Sequence, residues 1–228
     1  MIDVIKGILF DFDGTLSRRI EAAYFMYRWC MHQILPEMDV HSVEFEAVVQ
    51  RCMLWDEYGT IRKSHVFEQV KKHYCPALDV DYWTNRWYEV FHEFQIEMPE
   101  VYEVLTDLKE KYKLGIVTNG SGASQNRKID VLDLRKYFDT VIASGDFGKD
   151  KPDVSIYEQA AKDLGLECSE VAFVGDTFAT DILGAVKAGM KPVWFCYERK
   201  CVTIYDVVQL KNYKEVREYF LENNGWNS

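Results

Sequence analysis

Short apolar segments alternate with amphipathic ones over most of this chain. Residues 4–10 are apolar and β-branched at several positions, and acidic residues and a glycine follow them, so we expect a buried strand. After Pro99 the pattern predicts four more strands, at 114–118, 141–144, 171–174 and 193–196. It also predicts helices at 101–112, 125–134, 153–164, 178–188 and 213–223, with Asp153 as an N-cap. Strands and helices that alternate with short connections predict an α/β fold with a parallel sheet covered on both faces.

Residues 18–96 have a different pattern. Aromatic residues recur three to four positions apart, which is typical of helices that pack on one another. We expect about four helices here, with breaks near Pro36, Gly59 and Pro76. The predicted organisation is an α/β core of residues 1–16 and 97–228, with residues 17–96 inserted as a helical bundle.

Composition limits the classes of partner. The chain has 228 residues, of which 48% are hydrophobic, and a net charge of -10, which argues against a nucleic-acid polymer or an anionic membrane as partner. No stretch approaches the roughly 18 apolar residues of a membrane span. Six cysteines without a CxxC pair predict free, mostly buried thiols and a cytoplasmic location. The sequence does not reveal an oligomeric state.

Two carboxylates follow the first predicted strand, in Asp11-Phe12-Asp13-Gly14-Thr15-Leu16. Side by side they repel each other unless a cation or a shared proton compensates. Mg²⁺, which prefers oxygen ligands and bridges carboxylates to phosphates, would do so. The alternative is an acidic surface turn, since Asp-Gly is a common turn pair. The apolar run that leads into the motif makes this alternative less favourable.

Three more polar motifs follow later core segments. Thr118 and Asn119 end the second predicted strand and suit a phosphate oxygen, although such residues also form ordinary loops. Lys151 precedes a helix start, where positive charge favours an anion, and Lys149 competes for the role. Asp176 and Asp181 follow the next strand, and Asp176 could instead merely cap the helix. Each motif is weak alone.

Taken together, in this order and spacing, the four motifs resemble those of the haloacid dehalogenase-like hydrolase superfamily. The resemblance covers roughly residues 4–17 and 97–210, and it implies a Rossmann-like core with a small α-helical cap. It also implies that Asp11 attacks phosphorus to form an aspartyl-phosphate, while Asp13 acts as general acid and then general base. Further implied roles are Mg²⁺ ligands for Asp11, the Asp13 carbonyl and Asp176, support of the metal by Asp181, and phosphoryl binding by Thr118, Asn119 and Lys151.

Asp13 favours phosphoryl transfer, because members of the superfamily that displace halide lack a carboxylate at this position. The resemblance thus implies a phosphatase that acts on a small phosphorylated metabolite. A sugar phosphomutase stays open, although its motifs often differ at the positions of Thr15 and Thr118. So does a non-catalytic module that binds a phosphorylated ligand, but no motif acid is missing.

Substrate identity is the least determined feature of the sequence. A segment around Trp55 and Tyr58 faintly resembles the cap of pyrimidine nucleotidases, which favours a nucleoside monophosphate over phosphoglycolate or a sugar phosphate. Most aromatic residues of the insert are expected to form its packing core. The candidate specificity residues are Arg18, Arg19, Trp55, Tyr58 and Arg62.

Overall fold

Residues 4–222 are described by a computed structural model, apart from the side chain of Tyr58. Six parallel strands form one sheet in the order β3-β2-β1-β4-β5-β6. The strands are β1 (Gly7–Phe10), β2 (Lys113–Thr118), β3 (Thr140–Ala143), β4 (Val171–Gly175), β5 (Lys191–Phe195) and β6 (Val208–Leu210). The five predicted strands are confirmed. The edge strand β6 was not predicted, because three partly exposed residues carry too little apolar pattern.

The helices are α1 (Arg19–Ile34), α2 (Val43–Asp56), α3 (Lys63–His73), α4 (Val80–Val90), α5 (Val101–Lys109), α6 (Gly122–Val131), α7 (Ser144–Phe147), α8 (Val154–Asp163), α9 (Leu183–Lys187) and α10 (Tyr213–Arg217). A π-helical segment, Phe178–Ile182, leads into α9. The side chain of Asp153 caps α8 by accepting a hydrogen bond from the Ser155 amide, as predicted. The predicted end of the last helix, Asn223, lies outside the described residues.

Helices cover both faces of the sheet, and alternate residues of β1 show why. Ile8 and Phe10 pack in one apolar cluster with Leu105 of α5, whereas Leu9 packs in another with Ile156 of α8. Because successive side chains of a strand point to opposite faces, a strand buried on both sides must be apolar throughout. The Rossmann-like α/β prediction is thus confirmed.

Two compact units make up the described chain: residues 4–17 together with 97–222, and Arg18–Ile96. The second unit contains the four predicted helices and has its own apolar core. Tyr27 and Trp87 are fully buried there, with ring centroids 4.3 Å apart. The expectation that most aromatic residues of this segment pack its interior is confirmed.

The cysteines depart from the prediction of free thiols. Cys196 and Cys201 form a disulfide that closes a short loop after β5, since the chain turns back and brings their Cα atoms to 6.1 Å. Cys30, Cys52, Cys75 and Cys168 are free, and only the first two are buried. Within residues 4–222, no helix is long and apolar enough to cross a membrane.

Candidate active site at the carboxyl edge of the sheet

The carboxyl ends of the central strands bring the predicted chemistry together. Asp11 follows β1, and Lys151 lies in the loop that leads to α8. The Lys151 Nζ lies 2.6 Å from the Asp11 Oδ1 and 2.8 Å from the Asp181 Oδ1. All three side chains are buried. One ammonium group therefore bridges two carboxylates that are 170 residues apart in sequence.

Asp176, directly after β4, completes an acidic cluster. Carboxylate oxygens of Asp11, Asp176 and Asp181 lie within 4.8 Å of one another, and all three residues are buried. Hard oxygen donors in this arrangement fit Mg²⁺, and the three carboxylates outnumber the two cations that pair with them, Lys151 and Arg199. The structure thus brings together the predicted ligands Asp11 and Asp176 and the predicted supporting residue Asp181.

Burial and neighbouring carboxylates raise the pKa values of Asp11 and Asp176. Burial, more than any other factor, raises the pKa of Asp11, and the neighbouring Asp181 and Asp176 add to it against the opposing effect of Lys151. Burial and then Asp181 raise the pKa of Asp176 to about 6, and Arg199 opposes them. Burial alone would lower the pKa of Lys151, but Asp11 and Asp181 outweigh it and raise that pKa. A cation among the carboxylates would relieve this repulsion.

Arg199 is an unpredicted member of the site. It lies in the disulfide loop and forms an ion pair with the Asp176 Oδ2. Its guanidinium therefore occupies part of the coordination space of a predicted metal ligand. No spacing rule pointed to it, because the disulfide loop that carries it was not predicted either.

Gly14 shows how closely the first motif approaches the end of β4. Its φ of 87° lies in the left-handed region, and a Cβ at this position would collide with the Asp176 carboxylate. The turn after Asp13 thus needs glycine for both its conformation and its proximity to Asp176.

Asp13 contacts α6 rather than the acidic cluster. Its Oδ2 accepts hydrogen bonds from Gln125 Nε2 at 3.1 Å and from Lys128 Nζ at 2.5 Å. The same Gln125 Nε2 lies 2.5 Å from Thr118 Oγ1 and 3.0 Å from the Asn119 carbonyl. Gln125 and Lys128 were not predicted as site residues, although the sequence contains a signal for them. They are three positions apart, so they fall on one face of a helix that directly follows a polar motif.

The side chain of Asn119 contacts the backbone of Lys151, and its phosphate-binding role stays a prediction. Its side-chain amide donates to the Lys151 carbonyl at 3.1 Å and accepts from the Lys151 backbone amide at 2.8 Å. Both polar ends of the amide thus hold the Lys151 backbone. We interpret Asn119 as a residue that positions Lys151.

The candidate specificity residues are spread through the helical unit. The Arg19 guanidinium lies 3.3 Å from the buried Asp56 and lines a cavity of about 500 Å³, which Gln50, Glu57 and Thr60 also line. Trp55 is half-buried and stacks on His73, with centroids 5.7 Å apart.

The other two arginines are nearer the solvent. Arg18 pairs with Glu21 at 3.7 Å, and Arg62 is exposed. The Tyr58 side chain lies outside the described part.

Comparison with known proteins shows which family this chain resembles. Residues 8–195 match the family of haloacid dehalogenase-like hydrolases. The chain is 33% identical over 205 residues to a glyceraldehyde 3-phosphate phosphatase of Pyrococcus abyssi, a match that covers 85% of this chain and 82% of that one. It is also 36% identical over 98 residues to a pyrimidine 5′-nucleotidase of Escherichia coli, covering 42% of this chain and 44% of that protein.

A solved structure shows the same fold. A hydrolase from Bacillus subtilis, described as bound to magnesium, superposes with a TM-score of 0.76 at 19% identity and covers 96% of this chain and 99% of that one. This likeness extends over nearly the whole length of both chains. With the four motifs at one edge of the sheet and residues 8–195 matching, the chain belongs to the haloacid dehalogenase-like hydrolase family.

Proposed function

We propose that this protein is a Mg²⁺-dependent phosphatase that hydrolyses a small phosphorylated metabolite through an aspartyl-phosphate on Asp11. The observation that carries the proposal is the convergence of three buried carboxylates and Lys151 at the carboxyl edge of the sheet. The enzyme class, a phosphoric monoester hydrolase, agrees with the relatives that the chain matches over most of their length.

The metal would be held by the carboxylates of Asp11 and Asp176 and by the Asp13 backbone carbonyl, with Asp181 in support. When bound, Mg²⁺ would offset the negative charge between the nucleophile and the phosphate. Arg199 would have to leave Asp176 or share it, since its guanidinium contacts the Oδ2 of that residue.

The chain's own residues account for the two half-reactions. In the first, an Asp11 oxygen attacks phosphorus and the bond from phosphorus to the leaving oxygen breaks, while the carboxyl group of Asp13 gives that oxygen a proton. In the second, the oxygen of a water molecule forms a bond to phosphorus while Asp13 takes a proton from it, and the bond between phosphorus and the Asp11 oxygen breaks to release inorganic phosphate. Lys151 and Thr118 would bind the phosphoryl oxygens throughout.

Relatives favour a short sugar phosphate as substrate. A match over 85% of the chain necessarily includes much of residues 18–96, whereas a match over 42% can omit them. The first of these relatives is named for a triose phosphate, the second for pyrimidine nucleotides. Trp55 packs against His73 in the helical unit, which weakens its case as a stacking platform for a base. A nucleoside monophosphate is the second candidate.

A release assay for inorganic phosphate tests the proposal. Purified protein with Mg²⁺ is assayed against glyceraldehyde 3-phosphate, other sugar phosphates, phosphoglycolate and nucleoside monophosphates. We expect turnover of at least one substrate, with the sugar phosphates ahead of the nucleotides. Asp11→Asn serves as the dead variant, and Asp206→Asn, which removes an exposed carboxylate, is the matched control.

Two results would contradict the proposal. One is the absence of phosphate release from every substrate by folded, Mg²⁺-supplied protein. The other is equal activity of Asp11→Asn and the wild type, which would assign the observed turnover to another residue or to a contaminant.

A further inference from the structure

Lys128 is a buried cation that the proposed reaction does not yet use. It lies on α6 and is 4% exposed, and Gln125, one helical turn earlier, is 3% exposed. A buried ammonium group is costly unless it is paired, so Lys128 needs a partner at this position. That partner is Asp13, whose Oδ2 lies 2.5 Å from Lys128 Nζ.

Two donors of different chemistry thus converge on one oxygen of Asp13. Lys128 supplies a charge, and Gln125 supplies a neutral amide at 3.1 Å. Lys128 Nζ also lies 5.2 Å from the centroid of the Phe12 ring, which packs the ammonium against the residue between Asp11 and Asp13. A carboxylate held by two buried donors has a fixed rotamer.

Gln125 connects this arrangement to the end of β2. Its Nε2 lies 2.5 Å from Thr118 Oγ1 as well as 3.1 Å from Asp13 Oδ2. A single amide therefore sets the position of Asp13 relative to a residue proposed to bind the phosphoryl group. Since proton transfer requires its donor within hydrogen-bond reach of the leaving oxygen, such fixation bears directly on the rate.

We propose that Lys128 and Gln125 are positioning residues that hold the Asp13 carboxyl group for proton transfer to the leaving oxygen. The inference rests on the proposed phosphatase function. In the proposed step the proton that reaches the leaving oxygen comes from Asp13, and Lys128 acts only through its contact with that carboxyl group. The role therefore matters most where the leaving group needs that proton, as an alkoxide does, and least where it does not, as with p-nitrophenolate.

The test compares leaving groups in Lys128→Met, which keeps an unbranched side chain one atom shorter and removes its charge. For an alkyl phosphate we expect kcat to fall about 10- to 100-fold, with KM changed less than about 3-fold. For p-nitrophenyl phosphate we expect kcat to change less than about 3-fold. Lys128→Arg should recover part of the loss. Arg127→Met, which removes an exposed cation from the same helix, is the matched control and should leave both rates unchanged.

A double variant shows whether Lys128 acts through Asp13. In an Asp13→Asn background, Lys128→Met should cause no further loss on the alkyl phosphate. If Lys128→Met does not fold, as judged by circular dichroism, Gln125→Leu decides, and it should give the same selectivity with a smaller loss.

Three outcomes overturn the inference. Equal losses on both leaving groups would make the pair merely structural. An additive loss in the Asp13→Asn background would show that Lys128 acts independently. Unchanged rates in both Lys128→Met and Gln125→Leu would leave the contacts without a catalytic role. A wild-type protein that releases phosphate from neither ester and from none of the sugar phosphates, phosphoglycolate or nucleoside monophosphates would instead refute the proposed function, and this inference with it.

Discussion

Replacing Asp176 by asparagine should stabilise the metal-free protein. Burial and the neighbouring Asp181 raise the pKa of Asp176 to about 6 from a reference of 3.8. At about 1.4 kcal/mol per pKa unit, the ionised carboxylate destabilises the fold at pH 7.5 by about 3 kcal/mol. Asparagine removes that charge with little change in shape. It also ends the ion pair with Arg199, but the opposing effect of that pair is already contained in the pKa of about 6.

The sign of the pH dependence follows from the raised pKa. Between about pH 4 and pH 6 the folded state holds a proton on Asp176 that the unfolded state has released, so acidification stabilises the fold in this window. The stability difference between Asp176→Asn and the wild type should be largest above pH 6. It should shrink towards zero as the pH falls to about 4.

Thermal unfolding in EDTA measures the effect. For a chain of this size, about 3 kcal/mol corresponds to a rise in Tm of about 6–12 °C at pH 7.5. Added Mg²⁺ should largely cancel the difference, because a hundredfold excess over Kd stabilises the wild type by about 2.7 kcal/mol and the variant has lost a ligand. Asp206→Asn is the control for removal of one negative charge. A lower Tm of metal-free Asp176→Asn would refute the reasoning, since the pair with Arg199 would then outweigh the cost of burial.

Four further predictions concern chemistry and selectivity. Asp11→Asn should lower kcat about 100-fold or more, because the nucleophile is lost, with folding checked by circular dichroism. EDTA should abolish phosphate release, Mg²⁺ should restore it, and Ca²⁺ should inhibit it because its looser coordination misplaces the nucleophile. Arg19→Met should lower kcat/KM for the best natural substrate about 10-fold more than for p-nitrophenyl phosphate, and Arg62→Met serves as the comparison. Thiol titration of the unreduced, denatured protein should find four thiols, since Cys196 and Cys201 are joined.

Each of these predictions can fail separately. Full activity after exhaustive dialysis against EDTA would remove the metal from the mechanism. Equal losses on both substrates in Arg19→Met would mean that this arginine supports the helical unit rather than substrate choice. Six titrated thiols would restore the expectation of free cysteines.

The sequence by itself determined the class of fold and two acidic residues of the candidate site, Asp11 and Asp176. The local pattern of apolar and polar residues predicted five strands and the four helices of the inserted unit. This was possible because a strand or helix that is buried on one or both faces must carry apolar residues at the buried positions. Asp11 and Asp176 were predicted for a similar reason: a polar residue that directly follows a buried strand must lie at the sheet edge.

Only the tertiary structure decided which side chains meet. Parallel pairing brings β1 next to β4, so residues far apart in sequence become neighbours, as Asp11 and Asp176 do. The contact of Lys128 with Asp13 depends on the rotation of α6 about its axis, and that of Arg199 with Asp176 on the course of the disulfide loop. Neither the rotation of α6 nor the course of the loop can be predicted from a local sequence pattern, because each results from packing between distant segments. For the same reason the amide of Asn119, a plausible phosphate ligand in sequence, proves to hold the backbone of Lys151.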